Sequence, residues 1–410
     1  VDISTSLNAG IASGERRILV EGASLIEPAW IQGLRTIAWS ADSARIFYLQ
    51  NDKGWRTLWA VELSSGECKQ VDAAAAYTWM MQLAVAPAGD PSTPALAAGA
   101  SVRPVGQSGQ GRLALIGSSP QTPERVVLVE NGKARIVKRS SSESLDPADL
   151  AVPRPIEWPA PDGTVVHGLY YPPTNTRYAA DGLPPAIVNI HGGPTSARTS
   201  AFNAQAAFFT TRGYAWLEVN YRGSTGYGRG YMLMLRQKWG LLDTEDAVGG
   251  AKALAALGYA DPQRMVVMGG SAGGYTVLNA LEQFPGVFKA GVDLYGVANL
   301  FDFLIGTHKF EERYNDSLVG VLPQDAERFK AWSPALHADK IKDPLAVFQG
   351  ADDKVVPPEH SEQIVNALRA NKVPHVYKLY PGEGHGWRKT ETIIDFYTSL
   401  DKFLKQYVLF

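Results

Sequence analysis

The run Met265-Val-Val-Met-Gly-Gly-Ser-Ala-Gly-Gly-Tyr275 decides how this chain is read. Met265–Met268 is a short apolar stretch that reads as a buried strand, and Tyr275–Leu281 continues as a helix. Between them, Gly269-Gly270-Ser271-Ala272-Gly273 fits Gly-x-Ser-x-Gly, the pattern of a serine held on a sharp strand-to-helix turn. Such a turn is strained and brings helix and strand close, so its flanking positions have no room for a Cβ. The pattern alone arises by chance. What makes Ser271 a candidate nucleophile lies downstream.

A serine hydroxyl attacks only when a base takes its proton, and that base must be oriented by a third group. After Ser271, Leu345-Ala-Val-Phe-Gln-Gly-Ala-Asp-Asp-Lys354 runs off a buried strand into two acids. After the next strand, Pro381-Gly-Glu-Gly-His-Gly-Trp387 presents a histidine between glycines. Serine, acid, histidine is the chain order of this kind of site. Position relative to the strand end favours Asp352 as the orienting acid, with Asp353 supporting the turn, and His385 as the base. His167, His360 and His375 read as structural. Two N–H donors are also needed for the oxyanion. Ala272, just after the serine, supplies one. Gly193, in His191-Gly192-Gly193-Pro194 after the strand Ala186–Ile190, supplies the other, and His191 is expected to hold this loop.

Working outward, buried strands alternate with helices from about Pro185 onward. The strands are Ala186–Ile190, Tyr214–Asn220, Met265–Met268, Ala290–Leu294, Leu345–Gln349 and Val376–Leu379, with helices around Asp243–Leu257 and Ser361–Ala370. That alternation implies a mostly parallel, doubly wound sheet, the α/β-hydrolase fold, with its chemistry at the strands' carboxyl ends. Residues 1 to about 150 read as all-β. Ile37–Leu49 is strand, turn, strand; Thr57–Leu63, Arg112–Gly117 and Arg125–Glu130 follow, the last closed by Asn131-Gly132, a hairpin turn. Blades of roughly 40–50 residues would give about three here, an incomplete β-propeller; a small β-sandwich is the alternative. Prolines 153, 155, 159, 161, 172 and 173 mark the crossing, dividing 1–150 from 151–410.

With 410 residues, 45% of them apolar and 20% charged, the chain has the profile of a two-domain globular protein. A net charge of −2 gives no reason to expect nucleic acid or an anionic membrane as partner. The sequence shows no signal peptide, no membrane-crossing stretch and only one cysteine, Cys68, which fits a cytoplasmic location. No His/Cys cluster has metal-ligand spacing and no glycine-rich segment has the nucleotide pattern, so neither metal nor cofactor is expected.

His191-Gly-Gly-Pro-Thr-Ser196, Asn220-Tyr-Arg-Gly-Ser-Thr-Gly-Tyr-Gly228, Trp239-Gly240 with Asp243 and Asp246, Gly270–Tyr275, Gln349–Pro358 and Gly382–Gly386 form one ordered set of motifs. Together they resemble the prolyl oligopeptidase family of serine peptidases, in its acylaminoacyl-peptidase and dipeptidyl-aminopeptidase-like branch. The likeness covers about residues 155–410, and more weakly the propeller. It implies a peptidase acting on short peptides, with the propeller screening access, and Ser271, Asp352 and His385 as triad. It also puts Lys354 where relatives touch a substrate carbonyl with Arg or Asn, and lysine lacks their planar geometry. Members carry a longer propeller, so the open strand edges here make self-association between chains an expectation. Tyr221, Tyr227, Trp239, Phe310 and His191 are candidates for lining the substrate site, each weighed against plain packing. Glu311, next to Glu312, is the candidate for gripping a substrate amine, against a solvated helix face.

A carboxylesterase with the same triad is the nearest rival reading, and a non-catalytic protein that kept the fold is the other. A histidine base implies activity falling below about pH 6–7.

Overall fold

The computed structural model describes residues 18–20, 24–25, 33–86, 111–179, 181–306 and 313–410. The chain divides into two compact units. One gathers the residues up to Pro147 with Thr199–Asn203 and Thr225–Arg229; the other gathers Ala148–Arg198, Ala204–Ser224 and Gly230–Phe410.

The first unit holds two four-stranded antiparallel sheets. One is β1 (Ile37–Trp39), β2 (Arg45–Asp52), β3 (Trp55–Glu62) and β4 (Cys68–Gln70) in that order. The other is β5 (Trp79–Ala86), β6 (Arg112–Ser119), β7 (Thr122–Glu130) and β8 (Lys133–Arg139). These are blade-like sheets of a β-propeller. The count of about three draws on residues outside the described ones. Two turns have the left-handed backbone of tight hairpins: Lys53-Gly54 (φ 52° and 94°) and Asn131-Gly132 (φ 52° and 72°). Strand alternation explains why β2 is buried on both faces. Phe47 and Leu49 join Leu58, Leu83, Leu115 and Val127 in one cluster, while Ile46 and Tyr48 join Val61 in another. Each such side chain contributes about 1.5–3 kcal/mol on burial. Both inserted segments are bonded to these sheets: in the first, Ser200 N–H donates to the Gly54 carbonyl at 2.9 Å and Phe202 N–H to Ser118 Oγ at 3.0 Å; in the second, the Gly226 carbonyl accepts Lys53 N–H at 3.3 Å.

The second unit is an α/β-hydrolase sheet of eight strands. They are β9 (Arg154–Pro159), β10 (Val165–Tyr171), β11 (Ala186–Ile190), β12 (Ala215–Asn220), β13 (Met265–Gly270), β14 (Ala290–Leu294), β15 (Leu345–Gly350) and β16 (His375–Tyr380). Their spatial order is β16-β15-β14-β13-β11-β12-β10-β9. From β12 to β16 the pairs are parallel, and β10 runs antiparallel to both β12 and β9. β11, β12, β14 and β15 are buried throughout, which is why they read as mainly apolar runs, each with a buried polar residue: Asn189, Glu218, Asp293 and Gln349. Successive residues serve opposite faces. Val347 belongs to the cluster shared with the helices Leu242–Ala256, Ala272–Gln283 and Pro358–Ala370, whereas Phe348 meets Phe396 of the helix Thr390–Leu404 at 4.8 Å. The pairings Ile190↔Gly269, Gly270↔Leu294 and Gly350↔Tyr380 end β11 and β13–β16 along one edge. Among the described residues no helix is long and apolar enough to cross a membrane.

Candidate active site

The loops that carry His191, Ser271, Asp353 and His385 each leave a strand at that edge. Ser271 follows β13 with φ 58° and ψ −123°, a backbone that a non-glycine residue adopts at a cost of about 1–3 kcal/mol. Its N–H is tied to the Leu294 carbonyl at 2.9 Å. The flanking glycines are obligatory: a Cβ on Gly269 would lie 2.5 Å from the Gly273 carbonyl oxygen, and one on Gly273 would lie 2.2 Å from that of Ile190. Both obstructions are main chain, which cannot swing aside. Gly273→Ala is therefore expected to cost at least about 2 kcal/mol, measured by denaturant unfolding.

The acid is not the one expected. His385 Nδ1 donates to Asp353 Oδ2 at 2.7 Å, while the Asp352 side chain is exposed. This corrects Asp352 as the orienting acid. The chain turns immediately after β15, with Asp353 N–H on the Gly350 carbonyl, and that turn aims residue 353 inward. Asp353 Oδ1 meanwhile accepts the N–H groups of Val355 and Val356 at 2.8 and 3.0 Å. This local carboxylate turn was a signal the sequence offered. The carboxylate is fully buried and satisfied on both oxygens. Asp352 contributes only its N–H, to the Glu383 carbonyl at 2.9 Å.

Glu383 is a residue that motif reading passed over. Its carboxylate accepts the N–H groups of Lys389 (2.9 Å) and Arg388 (3.1 Å), tying the histidine loop to the start of the helix Thr390–Leu404. Burial opposes its charge, yet these donors and the Thr392 hydroxyl hold it below the ordinary glutamate value. Beyond the Asp353 bond, His385 Nε2 has no hydrogen-bond partner among the described residues.

The loop after β11 comes against the serine: a Cβ on Gly192 would lie 3.4 Å from Ser271 Cβ and 3.9 Å from Ala272 N. Three side chains hold it there. His191 Nδ1–H donates to the Gly192 carbonyl and its Nε2 accepts the Ser224 hydroxyl, both at 2.8 Å. Burial pushes this imidazole down to about 3, so it stays neutral. Tyr221 stacks on it at 4.2 Å and donates to the Pro194 carbonyl at 2.9 Å. Next along the chain, Arg222 is buried among Asp246, Glu245 and Asp162 at 2.8–3.0 Å. His191 and Tyr221 thus support the loop from behind and are not substrate-lining.

Trp239 is also corrected. It is 1% exposed, with its ring 4.4 Å from that of Tyr275, inside the core. Beside it, Asp243 accepts Gly240 N–H and the Thr276 hydroxyl, each at 2.6 Å, bracing the helix that follows Ser271. Tyr227 belongs to the first unit. Lys354 is exposed next to Asp353. Phe310 and Glu311 lie outside the described residues.

Below the serine turn, Asp293 of β14 is fully buried with Oδ1 wedged 2.3 Å from where a Cβ of either Gly274 or Gly296 would sit. Burial raises its carboxyl to about 7. A carboxyl raised in the folded state stabilises most when protonated. That contribution is complete below about pH 4 and is lost as pH rises through 7. Asp293→Asn, with no charge to bury, should therefore gain on the parent by roughly 2–3 kcal/mol between pH 5 and pH 8 in thermal or denaturant unfolding.

Comparison with known proteins places this geometry. The prolyl oligopeptidase family matches residues 200–409. Dipeptidyl peptidase family member 6 of Caenorhabditis elegans is 32% identical over 257 residues, 60% of this chain and 35% of that protein. Dipeptidyl aminopeptidase BIII of Pseudoxanthomonas mexicana is 32% identical over 276 residues, 65% of this chain and 40% of that protein. The crystal structure of a puromycin hydrolase superposes with a TM-score of 0.85 at 34% identity, covering 97% of this chain and 57% of that one. The chain thus spans well under half of these two curated relatives and a little over half of the solved structure. Since the family match runs over the stretch that carries Ser271, Asp353 and His385, this chain belongs to the prolyl oligopeptidase family.

Proposed function

We propose that this protein is a serine peptidase that cleaves short peptides through an acyl-enzyme on Ser271, with His385 as base and Asp353 as orienting acid. The observation that carries the reading is the Asp353–His385 hydrogen bond, 2.7 Å long, at the same edge of the sheet as a serine on a strained turn. Because Nδ1 bears the proton given to Asp353, Nε2 is the atom left to take the serine's proton. Ser271 Oγ then attacks the substrate carbonyl. The N–H groups of Ala272 and Gly193 receive the oxyanion: the first opens the helix Ala272–Gln283, outside that helix's own ladder, and the second sits in the braced loop. The imidazolium, stabilised by the buried carboxylate, passes its proton to the leaving amine, and water repeats the cycle on the acyl-enzyme. Residues 151–410 carry this chemistry, and residues 1–150 form the propeller part.

The names of the relatives favour amino-terminal cleavage, of dipeptides or of acylated residues. The test is fluorophosphonate trapping with mass mapping of the adduct to Ser271. It is paired with turnover of dipeptidyl and acyl-aminoacyl nitroanilides against nitrophenyl esters. Adduct on Ser271 with nitroanilide turnover supports the peptidase. Turnover of esters alone would make it a carboxylesterase.

A further inference from the structure

Tyr295, the first residue after β14, has a backbone that tyrosine adopts reluctantly, φ 43°. Glycine would occupy this position without strain. What the tyrosine adds is its ring. A Cβ on Gly270, the residue before the serine, would lie 3.1 Å from that ring. The ring centroid is 4.6 Å from that of His385, inclined 54°, and 5.3 Å from that of Trp387, edge to face. Its N–H is fixed on the Phe348 carbonyl of β15 at 2.8 Å, so the residue is anchored to the strand that leads to Asp353. The hydroxyl has no hydrogen-bond partner among the described residues, so the ring carries the contact.

His385 needs such a contact. Its flanking residues are Gly384 and Gly386, which offer no side chain to rest on. The bond to Asp353 pins one edge of the imidazole, and rotation about the ring's own torsion is otherwise soft. We infer that Tyr295 is a positioning residue for the proposed hydrolysis: its ring is the wall against which the His385 imidazole is set, between Asp353 and the serine turn. This rests on His385 being the base, as proposed above. A base displaced by about an ångström loses on the order of 10²-fold in rate, which sets the scale of the effect.

The experiment compares Y295F, Y295L and H385A in nitroanilide turnover, with proton NMR of the downfield N–H that His385 shares with Asp353. Y295L is expected to lower kcat by about 10- to 100-fold with KM within about threefold, and to broaden the downfield resonance. Y295F, which keeps the ring, is expected to restore both. Should Y295L fail to fold, Y295M, with an unbranched flexible chain, is read in the same way. Y295L turning over like the parent with a sharp resonance would overturn the inference. So would Y295F being as impaired as Y295L, which would move the role to the hydroxyl. If H385A stays active, the base assignment itself fails; if H385A is dead while Y295L is unchanged, only the role of Tyr295 fails.

Discussion

Asp353→Asn is expected to lower kcat by about 10⁴-fold, and Asp352→Asn to leave it within about threefold. The reason lies in how the two carboxylate oxygens of Asp353 are committed. Oδ1 accepts the N–H groups of Val355 and Val356, and Oδ2 accepts from His385. An asparagine must keep its oxygen on the two main-chain donors, which points its NH₂ at His385 Nδ1. That nitrogen then has to be unprotonated, so the proton sits on Nε2, where a base needs a lone pair. The fold survives because the turn bonds survive; melting temperature and denaturant midpoint should move little. Asp352 offers no comparable leverage, since only its N–H is engaged. Steady-state kinetics of the two variants side by side decides between the acids. A dead Asp352→Asn beside an active Asp353→Asn would reverse the assignment.

Ser271→Ala should remove about 10⁶-fold of kcat, leaving the residue of catalysis that oxyanion donors and binding provide alone. Alanine has the same Cβ, so the left-handed backbone at this position is neither relieved nor worsened, and stability should stay within about 0.5 kcal/mol. Loss of the fluorophosphonate adduct should accompany loss of turnover, while affinity for a product or inhibitor persists. Activity surviving in a well-folded Ser271→Ala would revive the idea of a different nucleophile or of a protein that only binds.

Much of this was legible because the parallel strands are buried on both faces and therefore stand out as short apolar runs between helices. The turn at Ser271 and the loop at His385 were legible because glycines fence them. Three things were not. β9 carries Pro155 and Pro159, which read as a break; at the sheet's edge a proline costs no ladder bond, so the strand forms anyway. In β5 the register slips between Met81 and Ala84, and Gln82 takes φ 57°, so the alternation that marks a strand is interrupted. The choice between Asp352 and Asp353 depended on which way a turn points a side chain after the strand has ended, where the two-residue period no longer applies. Tyr221 and Trp239 show a further limit. An aromatic residue in a motif looks the same in sequence whether it faces a substrate or props up the loop from inside.

Thr199–Asn203 and Thr225–Arg229 lie between elements of the hydrolase sheet in sequence yet belong to the propeller-like unit. The polypeptide is therefore not two beads on a string, and a single cleavage near residue 148 would not divide it along the boundary between the two units. The carboxyl-terminal fragment would carry away Ser200 and Phe202, whose amides are served by Gly54 and Ser118. Any swap of the amino-terminal part between homologues should take both short excursions with it, because they belong to that unit.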